Sequence, residues 1–274
     1  MHRRRPACAS SLLLAACLLV PATQAFADPE CKKIVLTGNS GYPPVSWRDR
    51  AHPGNITSIA GELVEMAMKD VGVPVENKFV GPWKRAQLAM RDGEVDAIHS
   101  AYVNEERKGY MDYTAVPFIM DPTVIFVKKG HAFAFKRKED LIGLQGASPI
   151  GESYGDDFDN FAKDKLKIDL VTSVDVAFKR LLAGRDRYVV FGLYPGLAAA
   201  ESNGIGDQIE YLQTPVITAG MYVAFSKKSP CGAKYLDYLS GKIAEYVKQG
   251  LPEKLLKKYS ETWKAQSRMK PPEN

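Results

Sequence analysis

The sequence predicts an α/β protein built as two similar lobes, each with a mostly parallel sheet. Two stretches carry this. Residues Pro82–Ile98 read PWKRAQLAMRDGEVDAI, and Phe178–Phe191 read FKRLLAGRDRYVVF. Each is an amphipathic helix, a Gly turn (DGEVD, AGRDR) and a short apolar strand, so one local design occurs twice. The chain is also long enough for two medium cores. Ligands of α/β sheets bind beyond the carboxyl ends of strands. The first copy runs on into SAYVNEERKGYMDYT, with an Arg just past a strand end.

The chain opens MHRRRPACAS, followed by the apolar run Ser11–Ala22 and then Ala25-Phe26-Ala27. A basic start, a short apolar run and small residues before a cut site are a secretory signal. Cleavage is expected after Ala27, giving a signal over 1–27 and a first mature residue Asp28. The alternative is a lipoprotein anchored at Cys17, because LAAC resembles a lipobox; the apolar run continuing through Leu18, Leu19 and Val20 argues against it. No later stretch has the length of a membrane helix, so a soluble, exported, periplasmic protein is expected. The 274-residue chain carries 37 Lys+Arg and 32 Asp+Glu. The signal removes three arginines and no acid, leaving a charge of about +2, too balanced to argue for nucleic acid or a membrane surface. Two cysteines leave with the signal. Cys31 and Cys231 remain, and in an exported chain they are expected to form one disulfide. The four histidines (His2, His52, His99, His131) lack metal-ligand spacing, so no metal or cofactor is expected.

In order, the pattern predicts a buried strand at Ile34–Leu36 and a turn-forming loop at Gly38–Pro44. Next come a helix over Ala60–Val71, a strand over Val75–Val80, a helix over Trp83–Met90 and a strand over Asp96–Ser100. Thr123–Val127 is β-branched and reads as strand; a short helix begins at Glu139–Leu141. GESYGDD is a second Gly-rich turn, and helices follow over Asp157–Lys165 and Val174–Ala183. Tyr188–Phe191 is a strand, Pro195–Ser202 a helix and Met221–Phe225 a strand. Ala233–Gln249 and Pro252–Ala265 are the closing helices, and 266–274 a frayed tail. Crossings between lobes fall near Pro117–Pro122 and Thr214–Gly220. Two crossings make the first lobe discontinuous, 28–117 with 220–265, around a second lobe at 118–219.

This order of pieces resembles the periplasmic solute-binding proteins of polar amino acid ABC transporters, bacterial extracellular solute-binding family 3. The matching stretches are GYPPVSW, GELVEMAMKDVGV, PWKRAQLAMRDGEVDAI, NEERKGYMDYT, VIFVKKG, DLIGLQG with PIGESYG, AFKRLLAGRDRYVVFG, MYVAFSKKSP and LPEKLLKKYSETW. They cover nearly all of the mature chain. The resemblance implies a type II, Venus-flytrap binding protein with two hinge crossings, a monomer without chemistry of its own that hands a carboxylate-bearing ligand to an inner-membrane permease. It implies Tyr42 and Trp83 as aromatic walls and Arg107 as the grip on the ligand carboxylate. Ser100 and Tyr102 fall at hydrogen-bonding positions, and Ser153, Tyr154 and Gly155 form the loop contributed by the second lobe. The GNSGYPP loop adds Asn39. The sequence departs from the family at FGLYPG: Gly192 or Leu193 stands where an acid usually meets the ligand's amino group, leaving Glu152, Asp156 or Asp157 to supply that charge.

Arg107 has a physical case of its own, since guanidinium is permanently charged and grips carboxylate with two parallel hydrogen bonds. Its plain alternative is a surface Arg paired with Glu105 or Glu106. For Trp83 the alternative is core packing. Trp47 reads as packing or rim, Asp96 as a turn or cap residue, and Lys84-Arg85 as a solvated face. Two further functions stay open: an enzyme of the cyclohexadienyl dehydratase type on the same scaffold, with Glu62, Glu152 or Asp157 as acid or base, and a sensory or accessory module.

Overall fold

A computed structural model describes residues 31–269. The proposed signal and Cys17 lie outside the described residues. The elements, in chain order, are β1 (Ile34–Gly38), β2 (Gly41–Tyr42), β3 (Ser46–Arg48), β4 (Ile56–Ser58), α1 (Ile59–Lys69), β5 (Val75–Asn77), α2 (Trp83–Asp92), β6 (Ala97–Ala101), α3 (Glu105–Lys108), β7 (Met111–Tyr113) and β8 (Ile119–Lys128). A 3₁₀ turn at Lys138–Leu141 leads to β9 (Gln145–Pro149), α4 (Asp156–Lys165), β10 (Lys167–Val171), α5 (Val174–Leu182), β11 (Tyr188–Gly192) and α6 (Leu193–Ser202). The chain closes with β12 (Ile209–Tyr211), β13 (Ile217–Ser226), α7 (Pro230–Lys248) and α8 (Leu251–Ser267).

The sheet runs β10-β9-β11-β8-β13-β6-β1-β5. At one end β1 pairs parallel with β5 and β6; at the other β9 pairs parallel with β10 and β11. Between these ends lie the two long strands, β8 and β13. Their first halves pair antiparallel with each other, Ile119–Thr123 against Ile217–Met221. Each then peels away: β8 continues along β11, and β13 along β6. The chain therefore changes half twice, side by side. We call the β1-β5-β6 end the first half and the β9-β10-β11 end the second.

The repeated helix–turn–strand unit is α2–β6 in one half and α5–β11 in the other. α2 ends at Gly93, whose φ of 79° is the left-handed conformation that closes a helix. α5 begins at Ser173, whose hydroxyl accepts from Val176 N. β6 and β11 are buried along their whole length, as strands covered on both faces must be. Along β6 the faces divide: Ala97 joins the larger core, and Ile98 and Ala101 pack with Trp83, Ala86 and Met90 of α2. Asp96 is a tie between elements, as a cap residue would be. It accepts from Val35 N at 2.8 Å and from Ser229 Oγ at 2.7 Å, joining β1 to the start of α7.

Two local readings change. The loop after β1 contains a small antiparallel sheet, β2-β3-β4, too short for periodicity to mark. The last helix does not stop at Ala265. Gln266 is fixed within it, because its Oε1 accepts from Trp47 Nε1 at 2.9 Å and from Arg50 N at 3.0 Å while its Nε2 donates to Asp49 at 3.1 Å. Trp47 is packing: it is buried and meets Tyr259 and Trp263 edge-on. No helix of the described residues is long and apolar enough to cross a membrane.

Cys31 and Cys231 form a disulfide across 200 residues of sequence, joining the entry to β1 with the first turn of α7. A crosslink that closes so long a loop removes much freedom from the unfolded chain. Replacing both cysteines by serine should lower unfolding free energy by about 2–5 kcal/mol, read as the urea midpoint against the oxidised protein. An unchanged midpoint would mean that the bond does not constrain the unfolded chain.

Candidate functional site

The halves meet where the loop after β9 faces the ends of β1, α2 and β6. Arg107 is placed there by α3, which is only one turn long. Asn104 caps that turn by accepting from Arg107 N at 2.8 Å, and Arg107 is its one buried residue, 3% exposed. Its guanidinium donates to Tyr102 O at 3.0 Å, to Gln87 Oε1 at 3.4 Å and to Gly151 O of the other half at 3.3 Å. It lies 5.4 Å from the Trp83 ring centre. The surface alternative fails, because Glu105 pairs with Lys108 and Glu106 with Arg91. Among the described residues Arg107 makes no ion pair; its partners are neutral oxygens. A buried charge so placed is under-paired.

Gly151 has φ +88°, a conformation L side chains rarely adopt, and its carbonyl also accepts from Gln87 Nε2 at 3.2 Å. The next residue, Glu152, reaches across to the first half, where Asn39 Nδ2 donates to its Oε1 at 3.0 Å. Burial pushes the Glu152 carboxyl up to about 7, opposed by the charge of Arg107 and the Asn39 hydrogen bond. Further links cross the same gap: Asn104 Nδ2 donates to Ser153 Oγ at 2.9 Å, and Glu105 N donates to Asp156 at 3.2 Å.

A third group is one that sequence reasoning missed. Asp121, fully buried on β8, accepts at Oδ2 from both Tyr42 and Tyr102 hydroxyls at 2.6 Å. Burial raises its carboxyl to about 6, against the lowering effect of the two tyrosine hydrogen bonds. Burial, followed by the Asp121 charge, lifts both tyrosines well above their ordinary range, so they stay protonated donors. Gly192 explains the fit. A Cβ there would stand 1.8 Å from Tyr42 Oη and 2.9 Å from Asp121 Oδ2, so the tyrosine hydroxyl occupies the room a side chain at 192 would need. The available signal was a lone acid within the otherwise apolar run FIMDPTVIFV.

Of the residues singled out from sequence, Asn39, Tyr42, Trp83, Tyr102, Arg107 and Ser153 come together where the halves meet. Two do not serve as donors there. The Tyr154 hydroxyl is used inside the second half, bonded to Ser148 Oγ at 2.6 Å and donating to Val190 O at 2.9 Å. Ser100, at φ 59°, turns its hydroxyl to His99 Nδ1 at 3.1 Å, and His99 Nε2 lies 2.9 Å from the Ser58 hydroxyl. Gly155 opens α4 at φ 93° and donates to Ser153 Oγ at 3.5 Å. Of the three acids offered for an amine, Asp157 is exposed and paired with Lys138, Asp156 stands at the rim, and Glu152 is in the cleft. A cavity of about 580 Å³ adjoins this cluster, within the size of small-molecule sites. Asn39, Trp83 and Glu152 line it, with Trp47, Arg50 and Trp263 from the first half and Ile150, Ser173, Phe191 and Asn203 from the second.

The Glu152 carboxyl titrates above its ordinary value of 4.5, so its contribution favours the fold at low pH and is lost as pH rises through about 7. Glu152→Gln should therefore gain about 1–3 kcal/mol over the parent protein at pH 8 and close to nothing at pH 4.5, by urea unfolding at the two pH values. A difference independent of pH would place this carboxylate in water.

The model of the bacterial extracellular solute-binding proteins, family 3, matches residues 34–262. A comparison with curated protein sequences finds no match. Similar solved structures include a histidine kinase sensor domain with similarity to periplasmic binding proteins (24% identity, TM-score 0.68, covering 83% of this chain and 96% of that one). An ancestral arginine-binding protein bound to arginine matches at 23% identity and TM-score 0.67, over 83% of this chain and 98% of that one. The amino acid ABC transporter substrate-binding protein AbpA of Streptococcus pneumoniae, bound to L-arginine, matches at 17% identity and TM-score 0.68, over 85% and 96%. At these identities the likeness is one of fold, whereas the family match spans most of the chain. The chain belongs to the bacterial extracellular solute-binding proteins, family 3.

Proposed function

We propose that this solute-binding protein captures a small carboxylate-bearing ligand, an amino acid or related organic acid, between its two halves, for ABC-type uptake from the periplasm. The observation that carries the reading is Arg107: a buried guanidinium at the junction whose partners are all neutral oxygens, one of them Gly151 O from the opposite half. A ligand carboxylate is the stronger partner, because charge-assisted, two-point hydrogen bonds are worth about twice neutral ones. It would take over the donors now spent on Gly151 O and Gln87 Oε1. Trp83, against whose ring Arg107 sits, would form one wall.

Segments 28–117 and 220–265 would then move as one body against 118–219, with β8 and β13 as hinge. A ligand held first by Arg107 gains the Gly151–Ser153 contacts only on closure. That difference in contacts shifts the open–closed balance. A permease would recognise the closed shape of the monomer.

One observation favours a second reading, an enzyme on this scaffold: Glu152 is a half-buried acid in the cleft, bonded to Asn39 and held near neutrality, as a general acid–base requires. Glu62 does not share that position, since it bonds Tyr259 and Lys258 on α8. Product formed from a captured organic acid, detected by mass spectrometry, would favour this reading; recovery of the unchanged acid favours binding alone.

Native mass spectrometry of freshly exported protein should find a bound small acid. Calorimetric titration with that acid should show Arg107→Ala weakening its binding by about 2–5 kcal/mol. Unchanged affinity would remove Arg107 from the site.

A further inference from the structure

The charged residues that line the cavity are sorted by half. Those of the first half are cations, Arg48, Arg50 and Lys84; those of the second are acids, Glu152 and Asp175. The sorting continues beyond the cavity, where Arg107 belongs to the first half and Asp159, on α4, to the second. The first half's Glu105 is the exception, and it is spent on Lys108 of its own turn. Direct ion pairs do not account for the pattern. Among the described residues, every ion pair within 4 Å is made inside one half.

The opposed charges nevertheless act on each other across the gap. Burial lowers the Arg50 guanidinium, and Asp175 opposes that. Burial raises the Glu152 and Asp159 carboxyls, and Arg107 is among the groups that oppose it in both. All three influences run from one half to the other. Arg50 and Asp175 are also fixed from their own sides. Arg50 Nη1 donates to Ser267 O at 2.9 Å and to Met269 O at 2.6 Å, and its guanidinium lies 5.1 Å from the Trp263 ring centre. Asp175, in the first turn of α5, accepts at Oδ1 from Asn203 Nδ2 at 2.8 Å. Those bonds occupy one nitrogen of the guanidinium and one oxygen of the carboxylate, so both keep capacity for a partner on the facing wall. Fixed opposite charges attract over the width of a cleft, and salt cuts the range from about 8 Å at 0.15 M to about 3 Å at 1 M.

Resting on the reading of the halves as two bodies that close on a ligand, we propose that these oppositely charged walls are a closing device sensitive to ionic strength: their attraction favours the closed form, and salt weakens it. The apparent affinity for a ligand held in the closed form follows the closed fraction. It would therefore fall as salt rises even for a ligand without net charge.

The test is single-molecule energy transfer between dyes on Lys163→Cys of α4 and Lys254→Cys of α8, both exposed and outside the cavity lining, in the oxidised protein with no ligand added. The ratio of closed to open molecules should fall at least about threefold between about 20 mM and about 1 M sodium chloride. Asp175→Lys and Arg50→Glu, each checked for folding by its thermal transition, should lower the ratio at low salt, and the double variant should restore it. Lys84→Glu, at an exposed position, should lower it too and serves if Arg50→Glu does not fold. Two populations whose ratio ignores salt, or ignores these variants, overturn the inference and leave the two-body reading standing. One fixed distance under every condition overturns both.

Discussion

The molecule depends on a short stretch of antiparallel pairing, Ile119–Thr123 against Ile217–Met221. Through it the chain leaves the first half and returns to it along adjacent strands, so both crossings share one line. Backbone hydrogen bonds between the two strands hold that line. Asp121 sits in the paired stretch, opposite Ala219, and its tyrosine bonds place a polar contact at the crossing itself. Two further contacts join the halves, Asn39 with Glu152 and Asn104 with Ser153. The junction thus holds a buried carboxylate on the crossing strands and, between the halves, polar pairs whose Asn39, Asn104 and Ser153 are buried as well.

Electrostatics decides what such a gap can hold. Arg107 and Asp121 are buried there, and Glu152 is half-buried between them and Asn39. Burial dominates both acids and pushes them toward neutrality, to about 7 and about 6. The guanidinium has no such escape, since it cannot give up its proton at any pH a protein tolerates. Three neutral oxygens are a modest substitute for one carboxylate. These charged groups therefore respond unequally to burial, and Arg107 is the one that keeps its charge.

Much of this was legible in the sequence, and for physical reasons. The paired helix–turn–strand units were visible because amphipathic helices and fully buried strands have distinct periods, and because Gly93 and Gly184 stand at the turns where positive φ is needed. Arg107 was visible through the Asn104–Arg107 run, whose first residue caps the turn that carries it. Elements shorter than one period, such as β2, β4 and α3, left no pattern to read. The direction of a hydroxyl is equally hidden. Ser100 and Tyr154 fall at plausible positions along the chain, but packing turns each into its own half, toward His99 and Val190. Asp121 was passed over because a lone acid inside a strand carries no spacing signature; its importance appears only when Tyr42, Tyr102 and Gly192 arrive from distant parts of the chain.

The disulfide has a topological consequence. Cys31 and Cys231 belong to the first half, and everything between them, including the whole of the second half, is an excursion of one covalent ring. A single backbone cut anywhere in that excursion would leave the molecule in one piece, with both ends of the break still anchored. Such a cut severs the polypeptide without dissociating it, so a protease nicking an exposed loop of the second half would yield a circularly opened protein rather than two fragments.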